Sequence, residues 1–222
     1  MIRIVTGHGR YADPWHPFAE TSAGIASVAA DLDADHDVVT VTPEAIGDLD
    51  GVDVLVVNTG GGGPDAQLPP DPDWLQAFGS CEAWIRAGGP MLAVHQATNG
   101  FPDWPGYRDL LGGHWRPGTS MHPPISDAVF TPVPGAEDDP LLAGLHEVRA
   151  HDERYSKLIM GDDVEIVLHH ELDQQSQPVV WRRRDPALHV IVDALGHDAR
   201  SYGSPTRRRL LANALTELLA TA

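Results

Sequence analysis

An apolar run from Met91 to Val94 ends directly in His95 and is followed by small and polar residues. Gly89 and Pro90 precede the run, so its bounds are sharp. In α/β proteins such a run is typical of a buried parallel strand, and ligands bind just beyond the carboxyl ends of these strands. The pattern therefore predicts that His95 stands at the mouth of a sheet. Imidazole there can transfer a proton or bind a metal, but it is a poor carrier for a stable acyl group.

Strand and helix patterns alternate through the first half of the chain. This order predicts a helix-flanked, mostly parallel central sheet, an α/β three-layer sandwich of the flavodoxin-like type. We expect the second helix to be capped by Asp73, with Trp74, Leu75, Phe78 and Trp84 facing inward. The predicted strands are Ile2–Thr6, 37–42, 52–58 and Met91–Val94, and the predicted helices are 20–32 and 73–87.

The second half is richer in strand patterns, at residues 164–170, 178–183 and 189–194. Ser204 followed by Pro205 predicts the start of a last helix. Residues 60–73 are rich in glycine and proline and predict a loop. The glycines at 60–63 lack the spacing of a nucleotide-binding motif, so a rim loop beside the site is the favoured interpretation. The sequence shows no repeat or linker, and we expect a single domain spanning residues 1–222.

The formal net charge is −17, from 32 acidic and 15 basic residues. Such a chain repels a phosphate backbone, so we expect no nucleic acid partner, and the arginine clusters 182–184 and 207–209 are interpreted as exposed. The sequence contains no membrane-span pattern and no signal-peptide pattern, so we expect a cytoplasmic location and no membrane partner. The single cysteine, Cys81, excludes an intrachain disulfide and is expected to be a buried structural thiol on a helix.

The 12 histidines are many for this length. His197, like His95, lies just past an apolar strand, whereas His122 lies in a connecting segment and Glu153 in a polar run. No H-E-x-x-H motif occurs, so a metal site would be assembled from separate loops. We take His95, His197 and Glu153 as candidate catalytic residues, and His95, His122 and His197 as candidate metal ligands. Three further histidines, for which the sequence favours no role, are His8, His16 and His114.

Several motifs occur in a set order along the chain. They are residues 88–98 (GGPMLAVHQAT), 107–113 (YRDLLGG), 152–155 (DERY), 178–181 (PVVW), 194–198 (ALGHD) and 207–214 (RRRLLANA). On these motifs the chain resembles the trehalose-utilisation (ThuA-like) family, whose fold is that of class I glutamine amidotransferases. The resemblance covers most of the chain from about Val52 onward, whereas residues 1–20 match less clearly.

The resemblance has a chemical consequence at the strand ends. In glutamine amidotransferases the corresponding turn carries a cysteine nucleophile, and a histidine after a later strand is its partner. The resemblance implies that His95 takes the place of the cysteine and His197 roughly that of the partner. Because the turn has no thiolate, glutamine hydrolysis through a thioester is not expected. Family membership implies instead a role in the metabolism of trehalose, other disaccharides or keto-glycosides.

Two hypotheses of function stay open. The first is a carbohydrate-active hydrolase or lyase with a small-molecule sugar substrate. In it, His95, His197 and Glu153 converge with His122 and supply acid–base chemistry. The cofactor is left open, with a divalent metal ion that polarises a sugar oxygen as the candidate. The second hypothesis is a catalytically inert amidotransferase-like scaffold that acts in sugar binding or protein assembly.

Other residues are expected to support the first hypothesis. Asp152 and Asp198 would orient the histidines as hydrogen-bond acceptors, and the rings of Trp104, Trp115 and Tyr155 would offer flat faces to a sugar. Glycoside hydrolysis by a pair of catalytic carboxylates is disfavoured. The candidate pair would be Asp152 and Glu153, and adjacent residues rarely face each other across a substrate. A homo-oligomer is a further candidate partner, through a face formed by Trp84 and the C-terminal helix, and burial of both within the monomer is the alternative interpretation.

Overall fold

The computed structural model describes residues 1–61 and 69–222. The loop predicted at 60–73, including half of the glycine run 60–63, therefore lies partly outside the described residues. The strands are β1 (Ile2–Thr6), β2 (His36–Thr40), β3 (Val54–Asn58), β4 (Met91–Val94), β5 (Gly113–His114), β6 (Ser126–Pro132), β7 (Val148–Asp152), β8 (Ile159–Met160), β9 (Val164–Leu172), β10 (Gln175–Arg183) and β11 (Val190–Asp193). The α-helices are α1 (Phe18–Asp31), α2 (Pro43–Gly47), α3 (Pro72–Arg86), α4 (Tyr107–Leu111) and α5 (Pro205–Leu219).

Within the described part of the chain, one sheet has nine strands in the order β2-β1-β3-β4-β11-β10-β9-β6-β7. The first five strands are parallel to their neighbours, in the flavodoxin-like order 2-1-3-4-5. Every residue of β3, β4 and β11 is buried, as expected for strands covered on both faces. The α/β three-layer architecture with a large, mostly parallel sheet confirms the predicted fold class.

Four antiparallel strands extend this sheet beyond β11. The predicted strands in the second half are confirmed with shifted ends, but β6 and β7 were not predicted. Both carry exposed or polar residues at alternate positions, and each buries only two apolar side chains, those of Ala128 and Phe130 in β6 and of Val148 and Ala150 in β7. β7 helps to position the candidate site because Glu153 follows its last residue directly.

The helices correct two predictions. The cap of α3 is Asp71, which accepts a hydrogen bond from the backbone N–H of Trp74, and not Asp73. Pro72 can stand at the first helical position because no intrahelical bond is expected of its nitrogen. Leu75 is 53% exposed and does not face inward. The start of α5 is as predicted, with Ser204 as cap.

Each of the two arginine clusters, 182–184 and 207–209, contains one arginine whose side chain is largely or fully buried. Arg207 is fully buried and forms an ion pair with Asp193, because it lies on the same side of α5 as the leucines that face the sheet. Arg182 is mostly buried and makes two hydrogen bonds of 2.7 Å with the carboxylate of Asp139. The interpretation of both side chains as solvated was wrong.

Cys81 lies in the middle of α3 and is 1% exposed, which confirms its predicted position. Burial raises the pKa of its thiol to about 12. Among the helices in residues 1–61 and 69–222, none combines the length and the apolar character needed to cross a lipid bilayer.

Candidate functional site

His95 begins a short 3-10 helix at the carboxyl end of β4. Its φ of +48° places it in the left-handed region, which non-glycine residues rarely adopt. The side chain is buried, and its Nδ1–H donates to the carbonyl of Ala194, at 3.0 Å. Nε2, the other ring nitrogen, lies 3.1 Å from the hydroxyl of Tyr155 and 3.6 Å from Oε2 of Glu153.

His197 follows the neighbouring parallel strand. Val94 lies opposite Asp193 in the register of β4 and β11, so the chain leaves both strands at the same edge of the sheet. Gly196 has a φ of +119°, and a Cβ there would lie 2.5 Å from the hydroxyl of Tyr202. Only glycine fits this turn without strain. The turn brings the rings of His197 and His95 to a centroid distance of 5.5 Å.

Glu153 lies at the centre of the group. Its Oε2 is 3.6 Å from Nε2 of His95 and 3.3 Å from Nδ1 of His197. Its Oε1 is 3.4 Å from Nε2 of His122. The structure thus brings together all the residues that the sequence suggested as catalytic, along with His122.

Asp152 fixes the position of Glu153 relative to the turn of His197. It is fully buried and accepts hydrogen bonds from the backbone N–H groups of Gly196 and His197, at 2.8 and 3.1 Å, and from the hydroxyl of Ser201. It was expected to orient the histidines as a hydrogen-bond acceptor, and it does so at His197 through the backbone N–H and not through the imidazole. Asp198 instead pairs with Arg200.

His16 completes the group, and the sequence assigned it no role. It lies in the loop that follows β1, and its ring centroid is 5.1 Å from that of His95 and 4.8 Å from that of His197. Asp13 Oδ1 accepts from Nδ1 of His16 at 2.7 Å. One donor atom from each member of the group His16, His95, Glu153 and His197 lies within 4.8 Å of the others. The D-x-x-H spacing of Asp13 and His16 was the available signal.

A chain of buried hydrogen bonds joins this loop to the end of β4. Asp13 accepts from the side-chain amide of Gln96 at 3.2 Å, and Gln96 accepts from the hydroxyl of Tyr155 at 2.9 Å. The same hydroxyl lies 3.1 Å from Nε2 of His95. The side chains around the cluster are therefore held in place by hydrogen bonds.

The pKa values of Glu153, His197 and His16 are shifted by burial and by their charged neighbours. Burial favours the neutral form of Glu153, but His197 and His95 outweigh it and hold the pKa of this carboxyl well below its usual range. Burial opposes the charge on His197, yet the carboxylate of Glu153 raises the pKa of this imidazole. Burial lowers the pKa of His16 in spite of Asp13. The first two shifts favour an ionised Glu153 beside a protonated His197.

The other expected residues lie around the cluster or away from it. Trp104 is buried in the core, 4% exposed, and Tyr155 is buried beside His95. Trp115 is half-buried and packs on Tyr155 with a ring-centroid distance of 4.7 Å. His114 lies on β5 and outside the group of four.

Comparison with known proteins gives a family and a fold. A family model described as ThuA, trehalose utilisation, matches residues 15–216. No curated protein sequence matches the chain. The fold is shared with a ThuA-like protein from Parabacteroides merdae, with a TM-score of 0.79 and 15% identity over 98% of this chain and 89% of that chain.

Two further solved structures have the same fold. A ThuA-like protein from Bacteroides uniformis gives a TM-score of 0.73 and 18% identity, again over 98% of this chain and 89% of that chain. A glutamine amidotransferase from Thermotoga maritima gives a TM-score of 0.61 and 9% identity over 98% of both chains. At these identities the likeness is one of fold.

Proposed function

The chain belongs to the ThuA (trehalose utilisation) family, and we propose that it is an enzyme of carbohydrate metabolism whose reaction centre is the cluster around Glu153. The substrate class is a keto-glycoside derived from a disaccharide. The observation that carries the proposal is the convergence of imidazoles from separate chain segments on one buried carboxylate. Catalytic acids and bases typically occupy such perturbed, partly enclosed sites.

Glutamine hydrolysis does not fit this site. The turn after β4 carries His95, and the one cysteine, Cys81, lies on α3 with a thiol whose pKa is raised to about 12 by burial. A thiolate is the nucleophile in that reaction, and a buried neutral thiol on another element does not supply it.

Hydrolysis by a pair of catalytic carboxylates does not fit either. That mechanism needs two carboxyl groups that face each other across the glycosidic bond, separated by about 5–10 Å. The carboxylate next to Glu153 belongs to Asp152, which is fully buried and occupied by backbone and hydroxyl donors. The arrangement favours proton transfer next to a sugar carbonyl.

His122 is the proton carrier in this proposal. Its side chain is 36% exposed, and its Nδ1–H donates to the carbonyl of Pro123 at 3.0 Å, so Nε2, which lies 3.4 Å from Oε1 of Glu153, is the nitrogen that exchanges the proton. The base takes the proton from the carbon between the keto carbon and the anomeric carbon. The C–H electron pair forms an enolate, and the cluster stabilises the negative charge on its oxygen.

Elimination then completes the cleavage. The enolate electrons form a double bond to the anomeric carbon, the glycosidic C–O bond breaks, and the leaving oxygen takes the proton from the His122 imidazolium. The products are an unsaturated keto sugar and an alcohol. Addition of water across the double bond converts this lyase reaction into net hydrolysis.

The test uses a nitrophenyl glucoside oxidised at the ring position two carbons from the anomeric carbon, with release of nitrophenol as the readout. We expect turnover by the natural protein and a loss of about 100-fold or more in Glu153→Gln and in His122→Ala. His8→Ala, which changes an exposed histidine of the same N-terminal segment as His16, should keep full activity. The unoxidised glucoside should not react.

Two outcomes overturn the proposal. Equal turnover by the natural protein and Glu153→Gln would place the chemistry elsewhere. Binding of the keto-glycoside with a measurable heat but without any product, over a range of pH and metal additions, would instead support an inert sugar-binding scaffold.

A further inference from the structure

We propose that His16, His95, His197 and Glu153 bind one divalent transition-metal ion. One donor atom from each residue lies within 4.8 Å of the other three, and the four come from separate segments of the chain. The metal site follows from this geometry alone. Its role, stabilisation of the enolate oxygen, rests on the proposed function.

The first support is the environment of His16. Its side chain is 9% exposed, and its Nδ1 is held by the carboxylate of Asp13 at 2.7 Å. Metal-binding histidines commonly donate their second nitrogen to a carboxylate, which fixes the ring and makes the binding nitrogen more basic. Asp13 Oδ1 also accepts from the backbone N–H groups of Trp15 and His16, so the supporting carboxylate is itself fixed.

His95 has the corresponding support from a backbone carbonyl. Its Nδ1–H donates to the oxygen of Ala194 at 3.0 Å. Nε2 is therefore the nitrogen left for an ion, and it lies 3.6 Å from Oε2 of Glu153 and 3.1 Å from the hydroxyl of Tyr155. A hydrogen bond from the second nitrogen to a backbone carbonyl is the other common arrangement around metal-binding histidines.

The distances around Glu153 match an ion at the centre. Donor atoms about 2.1 Å from a tetrahedral ion lie about 3.4 Å from one another. Oε2 of Glu153 is 3.3 Å from Nδ1 of His197 and 3.6 Å from Nε2 of His95. The widest separation in the group, 4.8 Å, exceeds such an edge, so the side chains must draw closer when the ion binds.

Two nitrogens of the cluster are buried and make no contact with hydrogen-bond geometry among the described residues. They are Nε2 of His16 and Nδ1 of His197, and the second of these has only the ion-pair contact of 3.3 Å with Oε2 of Glu153. Buried polar atoms in native proteins nearly always have a hydrogen-bond partner. Two neighbouring buried nitrogens without one are therefore typical of a position that binds a water molecule, an ion or a ligand. Because both nitrogens belong to the same group of four donors, a single ion satisfies both.

The donor set selects the class of metal. Three imidazoles and one carboxylate suit Zn²⁺, Co²⁺, Mn²⁺ or Fe²⁺, whereas Mg²⁺ and Ca²⁺ prefer oxygen donors. Four protein donors leave room for a substrate oxygen when the ion becomes five- or six-coordinate. His122 stays outside the group of four and remains free to carry a proton.

The test is metal binding by tag-free, full-length protein that has been stripped with a chelator and dialysed. Co²⁺ is added and followed by its visible absorption, and bound Zn²⁺ is counted by mass spectrometry after gel filtration. We expect one ion per chain. His16→Ala and Glu153→Gln should each lower the affinity by more than tenfold, and Asp13→Asn should lower it by about 10–100-fold through loss of the support to His16.

Two matched controls distinguish metal binding at this site from metal binding at other histidines of the chain. His8→Ala removes an exposed histidine of the same N-terminal segment and should bind the ion as the natural protein does. His122→Ala should also keep the ion while it loses turnover of the keto-glycoside. Circular dichroism and thermal melting establish that each variant is folded.

The outcomes for metal and for function are distinguishable. Absence of bound ion in the natural protein, or undiminished binding by both His16→Ala and Glu153→Gln, overturns the metal site even if the keto-glycoside is cleaved. Stoichiometric binding lost in those two variants supports the metal site even if no keto-glycoside is turned over.

Discussion

The carboxylate of Asp193 and the guanidinium of Arg207 form an ion pair in the interior, with Oδ2 and Nη1 2.8 Å apart. Asp193 is 1% exposed and Arg207 is fully buried. Asp193 Oδ1 accepts from the backbone N–H of Leu195, and Arg207 Nη2 donates to the carbonyl of Leu195. The pair therefore holds the turn that carries His197.

Replacement of Arg207 should destabilise the protein strongly. Arg207→Met leaves the carboxylate of Asp193 buried without a counter-charge, and we expect the free energy of unfolding to fall by about 3–5 kcal/mol. Urea unfolding followed by circular dichroism measures the change. The double variant Arg207→Met/Asp193→Leu should recover part of the loss because no unpaired charge remains. Unchanged stability of Arg207→Met would contradict the assigned ion pair.

Asp152→Asn tests the link between β7 and the turn of His197. The buried carboxylate accepts four hydrogen bonds, from the backbone of Glu153, Gly196 and His197 and from Ser201 Oγ. An amide group replaces one accepting oxygen with a donor, so we expect a loss of about 2–4 kcal/mol in the free energy of unfolding.

The control for this variant is Asp127→Asn. The carboxylate of Asp127 is 96% exposed and pairs with His151 on the neighbouring strand. Surface changes of this kind are usually within about 0.5 kcal/mol. Equal effects of the two substitutions in urea unfolding would show that Asp152 does not hold the turn.

Cys81→Ser tests whether the one cysteine acts as the nucleophile of a glutamine amidotransferase. Because the thiol is buried on α3, we expect no ammonia release from glutamine with the natural protein or with the variant. The hydroxyl should cost about 1–3 kcal/mol of stability, since it replaces an apolar contact in the core. An enzyme-coupled ammonia assay measures the first expectation. Ammonia release that disappears in Cys81→Ser would place a nucleophile at this residue.

The parallel half of the fold could be predicted because local signals are strong there. The run Ile2–Thr6 is mostly apolar and is followed by Gly7, the run Met91–Val94 is apolar throughout and is preceded by Gly89 and Pro90, and the structure has the same bounds. β6 and β7 were missed because their sequences do not show a clear alternation of apolar and polar residues: in β6 the exposed Val129 separates buried Ala128 and Phe130, and β7 has only five residues. Arg207 could have been recognised, since it lies three, four, seven and eleven residues before buried residues of α5.

The positions of two site residues could be predicted from the parallel half of the fold. His95 and His197 follow strands that are parallel neighbours, so the fold class alone brings them to one edge. Glu153 was suggested by its polar run, but its position beside the histidines could not be predicted, because β7 lies at the far edge of the sheet. His16 could not be placed beside them, since the path of the loop after β1 depends on long-range bonds such as that between Asp13 and Gln96.

Trp15→Ala should weaken sugar binding without a cost in stability. Trp15 is 69% exposed, and its backbone N–H donates to Asp13 Oδ1 at 2.9 Å, so the residue is fixed next to His16 at the edge of the cluster. Exposed aromatic faces of this kind pack on the C–H surfaces of sugars. We expect the Kd for an unreactive keto-glycoside analogue to rise by about tenfold, which corresponds to about 1.4 kcal/mol. Isothermal titration calorimetry measures the Kd, and the free energy of unfolding should change by less than about 0.5 kcal/mol.

The control is Trp15→Phe, which keeps an aromatic face and should retain most of the affinity. Equal Kd values for the natural protein and Trp15→Ala would place the sugar on another side of the cluster.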